Sequence, residues 1–401
     1  MTLGIILFAL GIFVAVCLHE AGHLLTAKAF GMKATQYFAG FGPTLWSFRR
    51  GETEYGIKAI PAGGYVKIVG MTPLETVAPG DENRAFWRQP AGKRFVVLSA
   101  GSFTHFLLAF VTLYFLALTF GVPTERPQLA EVSQCAPSVV TVANPNPDCR
   151  PGDAPSPARI AGLQAGDEVV AFDGRRTATV TDLVTAVRSH PPGRVAVTVL
   201  RDSRRITVPV ELVAVQRPDV NNPDRLVAVS AMGFAPGTVR EQPGVIGSVA
   251  GGTRLMGTLF SGTFTAMQQL PSKLPKLWEA IAGGSRDPET PVSVVGASRL
   301  GGQAFEAKEV AAYFGFFAAL NVFIGVFNLL PLLPLDGGHI AVLLFEQVRS
   351  GLARLFRRRD PGRVDVAKLM PVTYVVILAF GTLSVLAIVA DIVNPIANPF
   401  R

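Results

Sequence analysis

His19, Glu20 and His23 are the residues best placed to do chemistry. They form a His-Glu-x-x-His pentad inside an apolar run that opens at Leu3. Residues four apart share a helix face, so both imidazoles can aim a ring nitrogen at one point, with Glu20 alongside. That pattern suits a zinc ion, with two neutral imidazoles as ligands and a carboxylate beside the open position to take a proton from the attacking water. A five-residue pattern with two free positions also arises by chance, and it is the setting that gives it weight. Charged groups in hydrocarbon cost about 2.5–3.5 kcal/mol each even on lenient insertion scales. The competing reading is a pair of polar residues bonded to a neighbouring helix.

Zinc on two helical histidines needs at least one further protein ligand, with the fourth position left to water. Asp336 is the candidate, in Asn328-x-x-Pro331-x-x-Pro334-Leu335-Asp336-Gly337-Gly338-His339. It closes a long apolar run, and the flanking prolines and glycines are expected to break the helix so that the carboxylate turns inward. His19 lies about 24 Å beyond Leu3 at 1.5 Å per helical residue. Asp336 closes the run that opens at Val310, and the first and third runs are expected to enter from the same side, so both sites are expected in the same half of a core about 30 Å thick. His105 is either a spare ligand or a packing residue, and His190 and His339 have no case beyond position.

The elements that must position these groups follow from hydropathy. With 401 residues, 49% hydrophobic content and a mean hydropathy of +0.37, the chain is too apolar for an ordinary soluble protein. It is also too charged to be all membrane. Four stretches are long enough to span, at about 3–30, 95–120, 310–333 and 371–393. Residues 244–270 read as a helix on the surface or against the bundle, being rich in Gly and Thr and containing Arg254. The net charge of +8 does not form one basic face, so nucleic acid is not an expected partner. Lys and Arg instead crowd the loops 31–94 and 345–370, which positive-inside logic puts in the cytoplasm, with both termini and the segment 121–309 outside. The N-terminus lacks a basic start and a clean cleavage site and is read as a retained span of a plasma-membrane protein.

The first loop alternates strand-like runs with Gly and Pro, from Gly40-Phe41-Gly42-Pro43 through a turn at Arg50-Gly51 to Tyr65-Val66-Lys67-Ile68-Val69. It reads as β-hairpin material near 38–70, able to offer a strand edge to a substrate; a plain cytoplasmic hairpin is the alternative. In the outer segment, Gly162-Leu163-x-x-Gly166-Asp167-x-Val169-x-x-x-Asp173-Gly174 precedes a helical pattern from Thr181 and two alternating strands. This string resembles a PDZ domain. The resemblance implies that Ala161, Gly162 and Leu163 help seat an extended peptide or chain terminus by strand addition; a domain that only blocks access is the other reading. Cys135 and Cys149, on the outer side, are expected to pair in an oxidising space or to remain two surface thiols. No Cys-x-x-Cys occurs, so a thiolate zinc site is not indicated.

Taken together, the pentad, the Gly-Phe-Gly-Pro hairpin, the PDZ-like insert and the Asn-x-x-Pro-x-x-Pro-Leu-Asp-Gly-Gly segment resemble the site-2 protease family of intramembrane zinc metalloproteases. The likeness is to the bacterial branch that cleaves membrane-spanning anti-sigma factors, in its single-PDZ actinobacterial form. It implies one zinc per chain held by His19, His23 and Asp336, and Glu20 as general base. It also implies that Asn328 holds the substrate backbone, with Gly40, Phe41, Gly42 and Pro43 in a membrane-reentrant sheet. Where relatives usually carry Gly-Pro before the third span, this chain has Thr290-Pro291-Val292-Ser293, and no role is carried to that position. The expected fold is an α-helical polytopic membrane protein with four transmembrane helices, a membrane-associated β-hairpin region and an inserted extracytoplasmic PDZ-like α+β domain. Its parts are 1–120, 121–215, a linker and juxtamembrane helix over 216–309, and 310–401. The expected substrates are single-span membrane proteins within the lipid bilayer. A catalytically silent PDZ adaptor would leave the buried ionisable residues without a purpose, and a zinc or proton transporter would require more polar residues along the second and fourth spans.

Overall fold

The computed structural model describes residues 1–71, 77–141, 147–219, 225–359 and 361–400. It divides into two compact units, Met1–Phe120 with Pro243–Arg401 and Gly121–Gln242.

The first unit opens with helix α1 (Thr2–Ala29), strands β1 (Ala34–Arg50) and β2 (Thr53–Ile68), and helix α2 (Ala91–Phe120). The long apolar runs become helices because lipid offers no partner to backbone N–H and C=O groups, so each segment must satisfy its own. The two strands do not form a flat ribbon. Residues 36–39 pair with 64–67 on one side and with 54–57 on the other, and 44–50 fold back on 53–58. Two bent strands therefore make a small sheet of four segments. The bend depends on Gly40, at φ +92°, where a Cβ would sit 2.8 Å from the Ile60 carbonyl oxygen and 2.9 Å from that of Lys58.

The second unit contains β3 (Val122–Val132), β4 (Cys135–Ala136), β5 (Ala154–Pro155), α3 (Pro157–Ile160), β6 (Glu168–Phe172), β7 (Arg175–Arg176) and α4 (Val180–Ser189). It continues through β8 (Gly193–Arg201), β9 (Arg204–Pro218), β10 (Leu226–Ala231) and β11 (Phe234–Glu241). The main sheet runs β10-β9-β8-β6-β3-β11, with β7 beside β6. Leu129, Val169, Phe172, Leu183, Val197 and Val210 fill its core. Helix α4 begins at a capping box between Thr179 and Asp182. This unit extends past residue 215, the boundary expected from sequence. β10 pairs with β9 and β11 with β3, so Leu226–Ala231 and Phe234–Glu241 belong to the same sheet rather than to a linker. Cys135 and Cys149 are joined by a disulfide.

Asp167, from the Gly-Asp pair of the motif, is 1% exposed and receives both Nε and Nη2 of Arg201, at 2.7 and 2.6 Å. Burial opposes its ionised form, yet the Arg201 fork and the Gln164 amide outweigh that and hold its carboxyl below the usual carboxylate range. A depressed folded value means the stabilisation is complete above the unfolded carboxylate value of about 3.9 and is lost as pH falls through the lower folded one. Asp167→Asn should destabilise this unit by about 2–3 kcal/mol at neutral pH, short of a fully buried pair because the Arg201 side chain keeps 24% exposure. The difference between the two proteins should shrink as the pH falls below about 4, which hydrogen exchange of the β8 and β9 amides in the full chain would read.

The chain then returns to the first unit with α5 (Gly244–Ile281), α6 (Val294–Glu306), α7 (Val310–Asn328), α8 (Asp336–Leu355) and α9 (Met370–Val393). Among the described residues, α1, α2, α7 and α9 are long and apolar enough to cross a membrane. Helix α5 packs against α2, α7 and α9, with Leu255, Met256, Leu259 and Phe260 on the core built from Ala109, Leu113, Ala318 and Val322. Two expectations are corrected. The third span stops at Asn328 instead of 333, because Pro331 and Pro334 interrupt an apolar run that hydropathy alone cannot divide. Residues 345–355 are helical, forming the second half of α8 instead of a loop.

Candidate metal centre

The pentad is placed by a close crossing of α1 and α2. A Cβ on Gly22 would stand 2.6 Å from Thr104 Oγ1 and 2.7 Å from the Ala100 carbonyl oxygen, so the two backbones nearly touch there. Small residues let membrane helices approach in this way. One residue on, a Cβ on Gly101 would lie 2.5 Å from His19 Nε2 and from His23 Nε2. Bare α2 backbone thus forms one wall of the site.

His19 and His23 are buried, and their Nε2 atoms lie 3.2 Å apart. Asp336 Oδ2 is 3.3 Å from each. These three are the group of His, Cys, Asp or Glu side chains among the described residues that could hold a metal ion. The His23 Nδ1–H donates to the Val97 carbonyl at 2.7 Å, which leaves Nε2 bearing the lone pair. Outer partners of this kind fix the tautomer of metal-binding imidazoles. Asp336 Oδ2 is buried without a hydrogen-bond donor. Electron-pair donors converge at spacings of about 3.3 Å, the edge of a tetrahedron with bonds of about 2.0–2.1 Å, which is the geometry of zinc with nitrogen and oxygen ligands.

Asp336 reaches this point by a route that differs from the expected one. It opens α8, and the two glycines after it lie inside the helix instead of breaking it. A Cβ on Gly337 would sit 2.2 Å from the Leu329 carbonyl carbon, and one on Gly338 would sit 2.5 Å from that of Leu332. The glycines let the 329–333 turn press on the start of α8 and bring the carboxylate over the histidines.

Glu20 stands beside the group and its Oε2 accepts the Val66 amide of β2 at 3.1 Å. Tyr37 donates to the Cys17 carbonyl at 2.8 Å, a second tie between the sheet and α1. Phe41 stacks on Tyr65, and Gly40 and Gly42 form the bend, with Pro43 exposed beyond it. Asn328 ends α7 half-buried, eight residues before Asp336. Ala161, Gly162 and Leu163 lie in the other unit, away from these residues in the chain. Leu163 is buried in that unit's core.

Three of the chain's five histidines gather here. His105, on α2 one turn after Gly101, is 1% exposed and has its ring 5.2 Å from that of His19. Asn321 Nδ2 donates to the Phe317 carbonyl, so its Oδ1 accepts the His105 Nδ1–H at 2.8 Å. His105 packs against His19 and is not among the side chains whose ligand atoms converge. Gly101, Val97 and Val66 were not expected from the sequence. Gly101 alone left a trace, as the glycine of an Ala-Gly-Ser run inside an apolar helix.

Residues 7–359 match the profile described as Peptidase family M50. The chain is 39% identical to the zinc metalloprotease Rip1 of Mycobacterium tuberculosis and 40% identical to that of Mycolicibacterium smegmatis, in each case over 98% of both chains. It is 25% identical to the regulator of sigma-W protease RasP of Bacillus subtilis, over 83% of this chain and 87% of that one.

Proposed function

The chain belongs to peptidase family M50, and on that premise we propose that it is a zinc endopeptidase cutting the membrane-spanning segments of single-span proteins. The observation that carries this reading is the convergence of His19 Nε2, His23 Nε2 and Asp336 Oδ2 within 3.3 Å of one another, with both histidines on a helix long and apolar enough to cross a bilayer. These three residues would hold one zinc per chain. When bound, zinc polarises the scissile carbonyl and acidifies water. Glu20 Oε2 is engaged by the Val66 amide, so Oε1 takes the proton from the attacking water and hands it to the departing amine. Asn328 holds the substrate backbone.

A spanning substrate hides its peptide bonds in a helix and must unwind before it can be cut. The hairpin sheet, with Gly40, Phe41, Gly42 and Pro43 at its bend, dips into the membrane and pairs with the unwound stretch by strand addition. Leu45, Trp46, Phe48, Ile57 and Ile60 are exposed on its distal half, as a lipid-facing sheet requires. The unit 121–242 is a PDZ-like domain on the outer side, engaging a peptide or chain terminus near 161–163. The positive-inside pattern and the disulfide support that orientation, with both termini outside and the basic loops in the cytoplasm. The likeness to the regulator of sigma-W protease RasP of Bacillus subtilis favours membrane-bound regulators of sigma factors as substrates.

Two measurements test this together. Purified chain should carry one zinc, and Asp336→Ala should lose it. Membrane proteomics of Glu20→Ala cells should show single-span fragments accumulating that wild-type cells clear. Metal-free wild type, or an unchanged fragment profile, would end the reading.

A further inference from the structure

Helix α8 has two unlike faces. The inner one buries Gly337, Gly338, Ile340, Leu343 and Glu346, and Glu346 accepts from Arg94 of α2 at 3.3 Å and from the Val364 amide at 3.0 Å. The outer one exposes Leu344, Phe345, Val348, Leu352, Leu355 and Phe356, each at least half accessible. Their spacing follows the helical repeat, so they form one continuous apolar stripe. The helix is not among those apolar enough to span. A stripe of this kind on a helix too polar to cross belongs at a bilayer surface.

The end of the same helix is strongly cationic. Arg354, Arg357, Arg358 and Arg359 are all exposed, and none has a side-chain partner in an ion pair or hydrogen bond among the described residues. Guanidinium forks match phosphate oxygens two at a time, and a row of them beside an apolar stripe matches a lipid better than a free phosphate. A soluble acidic protein would satisfy the arginines and leave the stripe in water.

We propose that α8 is an interfacial helix that docks on anionic phospholipid, its stripe set at the acyl boundary and Arg354, Arg357, Arg358 and Arg359 on the headgroup phosphates. Because α8 begins at Asp336, the same contact ties the metal group's carboxylate to the membrane surface. The lipid contact itself does not depend on the proposed proteolysis.

The full chain carrying Cys17→Ala and Leu355→Cys, labelled with an environment-sensitive fluorophore and reconstituted in lipid discs, provides the test. Quenching by brominated phosphatidylglycerol should exceed quenching by brominated phosphatidylcholine at equal mole fraction by about fivefold or more, since one arginine near an anionic surface is worth about that factor. The preference should fall towards unity in Arg354→Gln/Arg357→Gln/Arg358→Gln/Arg359→Gln and persist in the matching Lys variant, which keeps both charge and topology signal. Equal quenching by the two lipids in the parent would overturn the anionic preference, and arginines that serve only as a topology signal give this result. No quenching by either lipid would overturn the docking itself, which is the outcome if a soluble partner covers the face.

Discussion

Glu20→Gln should leave one zinc per chain in place and reduce peptide-bond cleavage by at least about 10²–10⁴-fold. The size follows from what the side chain does and does not touch. It lies outside the group formed by His19, His23 and Asp336, so its neutralisation removes no ligand. The amide can still accept the Val66 N–H, so the sheet stays anchored. What disappears is the basic oxygen proposed to receive the water's proton. Zinc analysis of the purified variant and a cleavage assay on a co-reconstituted single-span substrate read the two halves separately. Undiminished cleavage would remove Glu20 from its assigned place in the mechanism. Loss of zinc together with activity would make it a ligand instead.

The second large effect is expected from a single methyl group. Gly101→Ala would ordinarily favour a helix by about 1 kcal/mol. Here the new Cβ would lie 2.5 Å from His19 Nε2, His19 Cε1 and His23 Nε2. The helix cannot retreat easily, because Gly22 and Ala100 fix the α1–α2 crossing one residue away. The imidazoles must turn, so zinc affinity should fall by at least the roughly 10–100-fold typical when an outer-shell partner is removed, and cleavage with it. Gly92→Ala, on the same helix with open space around it, is the control and should change neither. Competition with a chelator gives the affinity. A Gly101→Ala protein with unaltered zinc binding would place the metal away from this wall.

Part of this architecture is legible in the sequence. The pentad and the Leu335-Asp336-Gly337 corner are carried by side chains with unusual chemistry in unusual surroundings, and long apolar runs announce membrane helices. The hairpin turn at Gly51 was legible for the same reason, since glycine there adopts φ +63°. What escaped was carried by backbone or by the absence of a side chain. The Val97 carbonyl orients His23, the Val66 amide holds Glu20, and Gly101 matters for the atom it lacks; none of these leaves a pattern in residue types. The glycines after Asp336 stand out in the sequence, but pattern alone suggests a helix break where they in fact admit a close turn onto a helix. The extent of the inserted domain failed for another reason. β11 contains Pro236 and Gly237 and reads as a loop, and only pairing with β3, more than a hundred residues earlier, makes it a strand.

The bond from the Val66 amide to Glu20 gives the sheet a second duty. If the incoming chain is aligned by this hairpin, then the acceptor of the proton and the ruler that measures the substrate are one mechanical part. Sliding the ruler would drag the acceptor with it. The choice of bond to cut would then depend on how far a bent ribbon can shear, so that alterations near Trp46, on the segment farthest across the sheet from Val66, would shift the position of the scission along the substrate.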